Sequence, residues 1–215
     1  MRGRRWLLAL ALMGALAAAA VVVVPDYGKT EFVQWRDDTV HGPWRAVYDG
    51  HGRNGIRDGV ITMRPQPATV PTETHAGLIV SLTTYQNVSL RLRARTVAQL
   101  RNVRPNPWES AWVIWHYTDD HHFYYLALKP NGWELGKRDP AYPGGQRFLA
   151  TGMPKFSLKR WYDIRVDQKG PTMTVRTGDR TLTTFTDTER PYTRGSVGLY
   201  TEDAEVEFRN ITARD

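Results

Sequence analysis

The chain has 215 residues and no cysteine, which excludes disulfide frameworks, thiolate metal sites and cysteine nucleophiles. About 190 residues remain after a distinct apolar N-terminus, enough for one well-buried domain and too few for two ordinary ones. The formal net charge is +7, but three arginines that precede the apolar run supply part of it and leave the domain at +4, so no nucleic-acid partner is predicted.

The N-terminus has the pattern of an export signal. Arg2, Arg4 and Arg5 precede an apolar run of 18 residues, from Leu7 to Val24. The run reaches the roughly 17–25 residues of a spanning helix, but its alanines also suit signal-peptide cleavage. We therefore expect residues 1–24 to form an apolar helix that is a signal peptide or a signal anchor. The domain is expected to be exported, either extracellular or anchored to the outer face of the cytoplasmic membrane through residues 7–24.

The rest of the chain is predicted to form one β-sandwich after a linker. Residues 25–43 are polar and unpatterned, and we interpret them as a linker or an extended first segment. From residue 44 to residue 215, helical periodicity is almost absent, and short runs of β-branched and aromatic residues alternate with Gly, Pro and Asn. So many short strands predict an all-β fold, a two-sheet antiparallel sandwich.

Strict alternation assigns two faces to the strands within residues 112–138. With hairpin turns at Asp119-Asp120 and Asn131-Gly132, the register places Leu128 opposite Leu135. One face is nearly free of charge and is predicted to be core; it contains Val113, Trp115, Tyr124, Leu126, Leu128 and Leu135. The other face mixes aromatic and charged groups, which a dry interior accepts only when they are paired. Its members are Trp112, His116, Tyr125, Lys129, Glu134 and Arg138.

A preceding strand carries a row of arginines. Within residues 89–95, Arg91 and Arg93 alternate with apolar residues. If this strand lies beside the strand of residues 111–118, its arginines extend the aromatic and charged face into a groove. The groove hypothesis fails if Arg93 and His116 lie on opposite faces of their sheet. An ordinary solvated sheet face is the alternative.

The end of the chain resembles a known family. Its pattern Gly195-Ser-Val-Gly-Leu199, followed by Val206-Glu-Phe-Arg-Asn-Ile211, resembles the concanavalin A-like lectin and glucanase superfamily. Within that superfamily the pattern is nearest to bacterial 3-keto-glycoside hydrolase or lyase domains, which are laminin G-like jelly rolls. The resemblance covers roughly residue 44 to the C-terminus and implies a concanavalin A-like jelly roll. The reaction stays open, because the same closing strands occur in non-catalytic relatives.

Three functions are compatible with these patterns. The first is an exported carbohydrate-binding domain with an aromatic and arginine-lined groove. Its predicted ligand-binding residues are Arg91, Arg93, Trp112, His116, Tyr125, Glu134 and Arg138. The second is a glycoside hydrolase or lyase acting on 3-keto-glycosides or uronate-containing polysaccharide, with His116 or Glu134 as acid or base. The third is an extracellular interaction domain without a glycan ligand.

Two further motifs bear on these alternatives. Retaining glucanases of the superfamily need Glu-x-Asp-x-x-Glu on one strand, and this pattern is absent from the chain. The retaining glucanase mechanism is therefore not expected. Trp108 lies beside Pro107 at a predicted strand edge, where its indole could stack on a sugar ring or cover the core rim.

Metal binding has little support in the sequence. Asp119-Asp-His-His122 contains metal-ligating residue types, but adjacent residues on a strand or tight turn point apart, so a solvated hairpin tip is predicted. Residues 202–207 and 49–58 could provide oxygen ligands for a structural calcium, which superfamily members often carry. Neither segment has the spacing of a calcium loop. No cofactor is assigned, and the oligomeric state is left open.

Overall fold

A computed structural model describes residues 31–102 and 104–215. The described residues form sixteen β-strands and one short 3-10 helix, Pro143–Gly145. The strands are β1 Val33–Trp35, β2 Thr39–His41, β3 Trp44–Tyr48, β4 Arg53–Arg57, β5 Val60–Arg64, β6 Ala76–Tyr85, β7 Val88–Gln99, β8 Trp112–Asp119, β9 His122–Lys129, β10 Gly132–Arg138, β11 Gln146–Gly152, β12 Tyr162–Lys169, β13 Thr172–Thr177, β14 Arg180–Thr186, β15 Gly195–Glu202 and β16 Ala204–Arg214. The predicted signal segment, residues 1–24, lies outside the described residues. Within them, no helix has the length and apolar character needed to cross a membrane.

The strands form a sandwich of two antiparallel sheets with eight strands each. Sheet I has the order β1-β4-β5-β16-β7-β12-β13-β14, and sheet II has the order β11-β10-β9-β8-β15-β6-β3-β2. The all-β, two-sheet sandwich predicted from the sequence is confirmed. Strands β1 and β2 pair with β4 and β3, so both sheets include residues from the segment that was interpreted as a linker or extended segment.

The main core lies between the two sheets. Every second residue of the central strands points into it, because successive side chains of a strand point to opposite faces. The charge-free face predicted within residues 112–138 is confirmed. Its six members, Val113, Trp115, Tyr124, Leu126, Leu128 and Leu135, all belong to this core.

Sheet II carries a second apolar cluster on its outer face. The cluster consists of Leu78, Val80, Trp112, Ile114, Tyr117, Phe123, Tyr125 and Ala127. Partly buried Val47, Tyr48 and Tyr200 pack against it. Because both faces of the central strands are apolar, these strands are buried on both sides. The outer cluster provides the floor of the cavity described below.

The hairpin of β9 and β10 turns one position earlier than predicted. Leu135 pairs with Leu126 rather than with Leu128. The two-residue loop is therefore Pro130-Asn131 rather than Asn131-Gly132. Because the register differs by two residues, and side chains alternate with a period of two, every side chain keeps its predicted face.

His116 leaves its predicted face because β8 contains a bulge. The residue has a φ of 51°, and the registers of β8 with both β9 and β15 shift in this part of the strand. A bulge adds one residue and reverses the alternation beyond it. Tyr117 therefore joins the outer cluster, whereas His116 is fully buried and lies near Tyr124 of the main core. The prediction that His116 lies on the groove face is wrong.

The strand adjacency assumed for the groove is also wrong. Strand β7 lies between β16 and β12 in sheet I, whereas β8 belongs to sheet II. The alternation itself is as predicted, because Leu90 and Leu92 point into the main core and leave Arg91 and Arg93 on the outer face of sheet I. The core of the sandwich therefore separates these arginines from the face of Trp112.

Candidate functional site

A cavity of about 480 Å³ lies on the outer face of sheet II, and we call it the aromatic cavity. Strands β8, β9, β10, β11 and β15 and the segments before β6 and β8 contribute to it. Its lining residues are Thr74, Trp108, Trp112, Phe123, Glu134, Arg138, Gln146, Phe148, Tyr200 and Glu202. Aromatic surface combined with a few charged groups is the usual composition of a small-molecule site, and the volume lies in the usual range of roughly 300–1,000 Å³.

Stacked aromatic rings form the floor of the aromatic cavity. The rings of Trp112 and Tyr125 stack with their centroids 4.6 Å apart, and the ring of Tyr200 meets Trp112 edge-on at 5.3 Å. Trp112 is only 4% exposed, and its Nε1 donates a hydrogen bond of 2.8 Å to the carbonyl oxygen of Trp108. Trp108 and Phe148 are 42% and 63% exposed. These two rings therefore offer the aromatic surface that a ligand can cover.

Gly136 makes room for the ring of Tyr125, which lies opposite it on β9. A Cβ at position 136 would lie 2.3 Å from Oη of Tyr125. We expect Gly136→Ala to displace this ring and to lower the free energy of unfolding by about 1–3 kcal/mol, the usual cost of overpacking. Near-UV circular dichroism and thermal unfolding measure the two effects. The φ of Gly136 is outside the left-handed region, so the expected cost comes from overpacking and not from backbone strain; an unchanged near-UV spectrum in Gly136→Ala would contradict the prediction.

Glu134 is a buried carboxylate at the edge of the floor. Its Oε1 accepts a hydrogen bond of 2.7 Å from Oη of Tyr125, and its Oε2 forms an ion pair with Lys129. The predicted association of Tyr125, Lys129 and Glu134 on one face is therefore found. Both oxygens of Glu134 have a partner, so this carboxylate is held in one orientation in the aromatic cavity.

Glu202, at the end of β15, is the second carboxyl group of the cavity. Its Oε1 accepts a hydrogen bond of 2.7 Å from Oη of Tyr200. Burial raises the pKa of Glu202, while the hydrogen bond from Tyr200 and the charge of Arg138 oppose this effect and are smaller. Glu202 therefore keeps a proton to a higher pH than an exposed glutamate does.

The raised pKa of Glu202 gives a testable pH dependence of stability. Because the folded state holds this proton more tightly than the unfolded state, this group makes stability fall as pH rises from about 4.5 through the folded-state pKa. We expect Glu202→Gln to remove the contribution of this carboxyl group to the pH dependence. The Tm of the variant should therefore fall less than that of the wild type as pH rises. Calorimetry between pH 4 and pH 8 measures the difference; parallel curves would contradict the assignment.

Arg138 brings a positive charge to the aromatic cavity. Its backbone carbonyl accepts a hydrogen bond of 2.7 Å from Oη of Tyr192, which fixes the end of β10. Among the described residues, its guanidinium has neither a hydrogen-bond partner nor an ion-pair partner. A guanidinium presents five N–H donors in a planar fork. Arg138 can therefore donate several hydrogen bonds to ligand hydroxyl groups or to a carboxylate.

Arg101 fixes one wall of the aromatic cavity. Its guanidinium forms ion pairs with Glu109 at 3.2 Å and with Asp203 at 2.9 Å, and it donates a hydrogen bond of 3.2 Å to Oγ1 of Thr74. Arg101 thereby ties the segment between β7 and β8 to the segment before β6. These contacts position Thr74 and Trp108 at the cavity.

The structure brings together four of the seven predicted ligand-binding residues. Trp112, Glu134 and Arg138 line the aromatic cavity, and Tyr125 lies beneath it in contact with Trp112 and Glu134. Arg91 and Arg93 lie on the opposite sheet.

His116 does not line the cavity and is buried in the core. Its Nδ1 lies 2.9 Å from the carbonyl oxygen of Tyr192, so Nδ1 carries the proton of this hydrogen bond. Burial lowers the pKa of His116, which keeps the ring neutral. The acid or base role considered for this histidine is therefore not available at the aromatic cavity.

Sequence reasoning missed Tyr200 and Glu202. Residues 202–207 were considered only as possible calcium ligands. The signal that could have found both side chains is the alternation within β15, where Gly198, Tyr200 and Glu202 occupy every second position. Their place beside Trp112 follows only from the position of β15 next to β8.

The described residues contain no group of three or more His, Asp or Glu side chains arranged to hold a metal ion. Asp119 and His122 instead interact locally at the hairpin tip. An oxygen of Asp119 lies 2.8 Å from Nδ1 of His122 and accepts a hydrogen bond from the backbone N–H of His121. The predicted solvated hairpin tip agrees with these contacts.

The two eight-stranded antiparallel sheets define the protein as a jelly-roll β-sandwich, a fold that it shares with three solved proteins. Carbohydrate-binding module CBM66 from Bacillus subtilis superposes with a TM-score of 0.59 at 15% identity, over 80% of this chain and 96% of that chain. The VIP36 exoplasmic/lumenal domain, in its Ca²⁺/Man3GlcNAc-bound form, gives 0.55 at 11% identity, over 80% and 83%. SCLam, a non-specific endo-beta-1,3(4)-glucanase from family GH16, gives 0.54 at 9% identity, over 92% and 94%. At these identities the similarity shows the fold alone.

The sequence profile of the 3-keto-alpha-glucoside-1,2-lyase-like domain matches residues 30–214. The chain belongs to this family, and the family resemblance seen in its closing strands is confirmed. The match begins upstream of β1, in agreement with the inclusion of β1 and β2 in the two sheets. Among curated proteins, none matches the sequence.

Proposed function

We propose that this protein is an exported carbohydrate-binding domain that holds a sugar in the aromatic cavity. The observation that carries the proposal is the guanidinium of Arg138, which makes no hydrogen bond or ion pair with the described residues, in a cavity that also contains the carboxyl groups of Glu134 and Glu202. Jelly rolls named as a carbohydrate-binding module and as a sugar-bound lumenal domain have the same fold, which supports the proposal. Export rests on the basic residues and the apolar run at the N-terminus.

The chemistry of the lining suits a sugar. The exposed rings of Trp108 and Phe148 can pack against the apolar C–H face of a pyranose. Arg138 donates to ring or hydroxyl oxygens, and the carboxyl oxygens of Glu134 and Glu202 accept hydrogen bonds from hydroxyl groups. One side of the ligand is thus recognised by dispersion and the other by hydrogen bonds, as in amphipathic small-molecule sites.

Replacing Arg138 with glutamine tests this function directly. Because a hydrogen bond from a charged donor contributes about 1.5–3 kcal/mol, we expect sugar affinity to fall about ten- to hundredfold. Titration calorimetry with neutral, uronate-containing and 3-keto glycosides measures the change. Arg36→Gln, which removes an exposed arginine outside the cavity, is the matched control and is expected to leave affinity unchanged. Sugar binding that is equal in both variants, or absent throughout the panel in the wild type, would contradict the proposal.

A second candidate function is lyase or hydrolase chemistry on a 3-keto-glycoside, favoured by the family match and by the pKa of Glu202, which burial raises. A 3-keto group acidifies the neighbouring C2–H. In this function Glu134 takes the C2 proton, the C1–O bond breaks with its electron pair leaving on oxygen, and Glu202 protonates the departing alcohol. The products are an unsaturated keto sugar and a free alcohol; addition of water to the former completes a hydrolysis.

Mass spectrometry of the same glycosides separates the two functions. An enzyme is expected to release a new product, and Glu202→Gln is expected to abolish it while sugar affinity changes only severalfold. Unchanged glycosides with retained affinity favour a binding domain. Neither affinity nor product would favour an extracellular interaction domain without a glycan ligand.

A further inference from the structure

Three arginines lie side by side on the outer face of sheet I. Arg91 of β7 is directly opposite Arg165 of β12, and Arg165 is directly opposite Arg176 of β13. Arg91 and Arg176 are exposed, and Arg165 is half-buried. We call these three residues the arginine row.

The arginine row has no internal charge compensation. Neighbouring strands are about 4.8 Å apart, and like charges directly opposite one another destabilise a sheet. In the part of the chain that the structure describes, none of the three guanidinium groups has a hydrogen-bond, ion-pair or aromatic partner. Neither of the carboxylates that flank Arg165 on its own strand lies within ion-pair distance of the row. Asp163 pairs with Arg93 at 3.3 Å, and Asp167 accepts a hydrogen bond of 2.9 Å from Ser89.

Other arginines on the same face have such partners. Arg95 forms an ion pair with Glu207, and the guanidinium of Arg209 lies 4.3 Å from the ring centroid of Trp161. The arginine row therefore differs from its surroundings, because its three charges face solvent together. A row of this kind favours a ligand that supplies the missing anions.

We propose that the arginine row binds an anionic polysaccharide with a carboxylate on successive sugar residues. The row crosses the strands at right angles, so an extended polymer laid along it meets one guanidinium per strand. Each guanidinium fork matches the geometry of a carboxylate. This surface lies on the sheet opposite the aromatic cavity and does not depend on the function proposed for that cavity.

The surroundings of the row favour a soluble polymer over a membrane. Hydroxyl pairs of Thr174 with Thr184 and of Thr172 with Thr186, each 2.9 Å apart, continue the polar face beside it. Among the described residues, β7, β12, β13 and β16 carry no exposed large apolar side chain. Proteins that lie on a bilayer usually insert such side chains into it. The flat polar face instead suits hydrogen bonding along a polysaccharide.

Binding of the full chain to polygalacturonate tests the proposal, with fully methyl-esterified polygalacturonate as the uncharged control polymer. The test variant is the triple substitution Arg91→Gln, Arg165→Gln and Arg176→Gln. The matched control is the triple substitution Arg36→Gln, Lys155→Gln and Arg194→Gln, which removes the same charge from exposed positions outside the row. We expect the wild type to bind only the acidic polymer. The row variant is expected to bind it at least tenfold more weakly and with a shallower salt dependence, and the control variant to stay within twofold of the wild type.

Three results would overturn the proposal. The first is equal affinity of the wild type for the acidic and esterified polymers, and the second is an equal loss of affinity in the two triple variants. The third is tighter binding of the wild type to anionic phospholipid vesicles or to duplex DNA than to polygalacturonate. Folding of the variants is checked by thermal unfolding. The row variant is expected to have a Tm no lower than that of the wild type, because like charges are removed. If the triple variant fails to fold, Arg176→Gln alone, at an exposed position, is expected to weaken binding severalfold, and unchanged binding in that variant would likewise overturn the proposal.

Discussion

Replacing Trp112 with alanine is expected to lower the free energy of unfolding by about 3–5 kcal/mol and to remove sugar binding at the aromatic cavity. The indole is 4% exposed and stacks on Tyr125 at 4.6 Å, so its loss leaves a void in the floor. The hydrogen bond from its Nε1 to the carbonyl of Trp108 is lost at the same time. Denaturant unfolding measures the loss of stability, and titration with a glycoside that the wild type binds measures the loss of affinity.

Two further variants separate the packing role of Trp112 from its contribution to the site. Trp112→Phe keeps an aromatic ring against Tyr125 and is expected to cost clearly less stability than Trp112→Ala. Trp108→Ala removes a ring that is 42% exposed, so it is expected to change stability little and to weaken sugar binding. Full sugar affinity in Trp108→Ala would show that its ring does not contact the ligand.

Arg101→Ala is expected to destabilise the fold by about 3–5 kcal/mol, because it leaves two carboxylates without their shared cation. The side chains of Glu109 and Asp203 are 0% and 1% exposed. Burial already raises the pKa of Glu109, and the charge of Arg101 acts against that effect. Without Arg101, Glu109 in the folded protein keeps its proton to a still higher pH. The stability lost by the variant therefore grows as pH rises from 4 to 7.

Denaturant midpoints of the wild type and Arg101→Ala, measured across that pH range, test this prediction. Arg101→Lys is the control, since it keeps the charge but not the planar fork, and an intermediate loss is expected. A stability difference that is independent of pH would mean that the loss comes from packing rather than from uncompensated charge. Sugar affinity is expected to fall in parallel with stability, because Arg101 contacts Thr74 and also Glu109, the residue directly after Trp108, and both Thr74 and Trp108 line the cavity.

The central hairpins show which part of the site the sequence could predict. Alternation placed Trp112, Tyr125, Glu134 and Arg138 on one face, and the structure brings these four residues together. The register error at the β9–β10 turn did not matter, because a shift of two residues preserves the faces.

His116 marks the point where the alternation of side chains between the two faces of β8 is interrupted. The bulge at this residue reverses the faces within β8, and residues 113–119 contain no glycine or proline that would indicate the reversal. The left-handed backbone at His116 is compatible with its burial and with its hydrogen bond to the carbonyl of Tyr192. That contact joins segments 76 residues apart and could not be read from local pattern.

The sequence by itself determined the fold class, the buried face of each central strand and, through its closing strands, the family. Each of these depends on a period of two or on a contiguous motif, and both are local properties of the chain. Strand order was decided only by the tertiary structure. It placed Arg91 and Arg93 on the sheet opposite Trp112, and it brought Tyr200 and Glu202 beside that residue. Which strands pair depends on how both sheets together bury the whole core, and that free energy is shared by residues far apart in the chain.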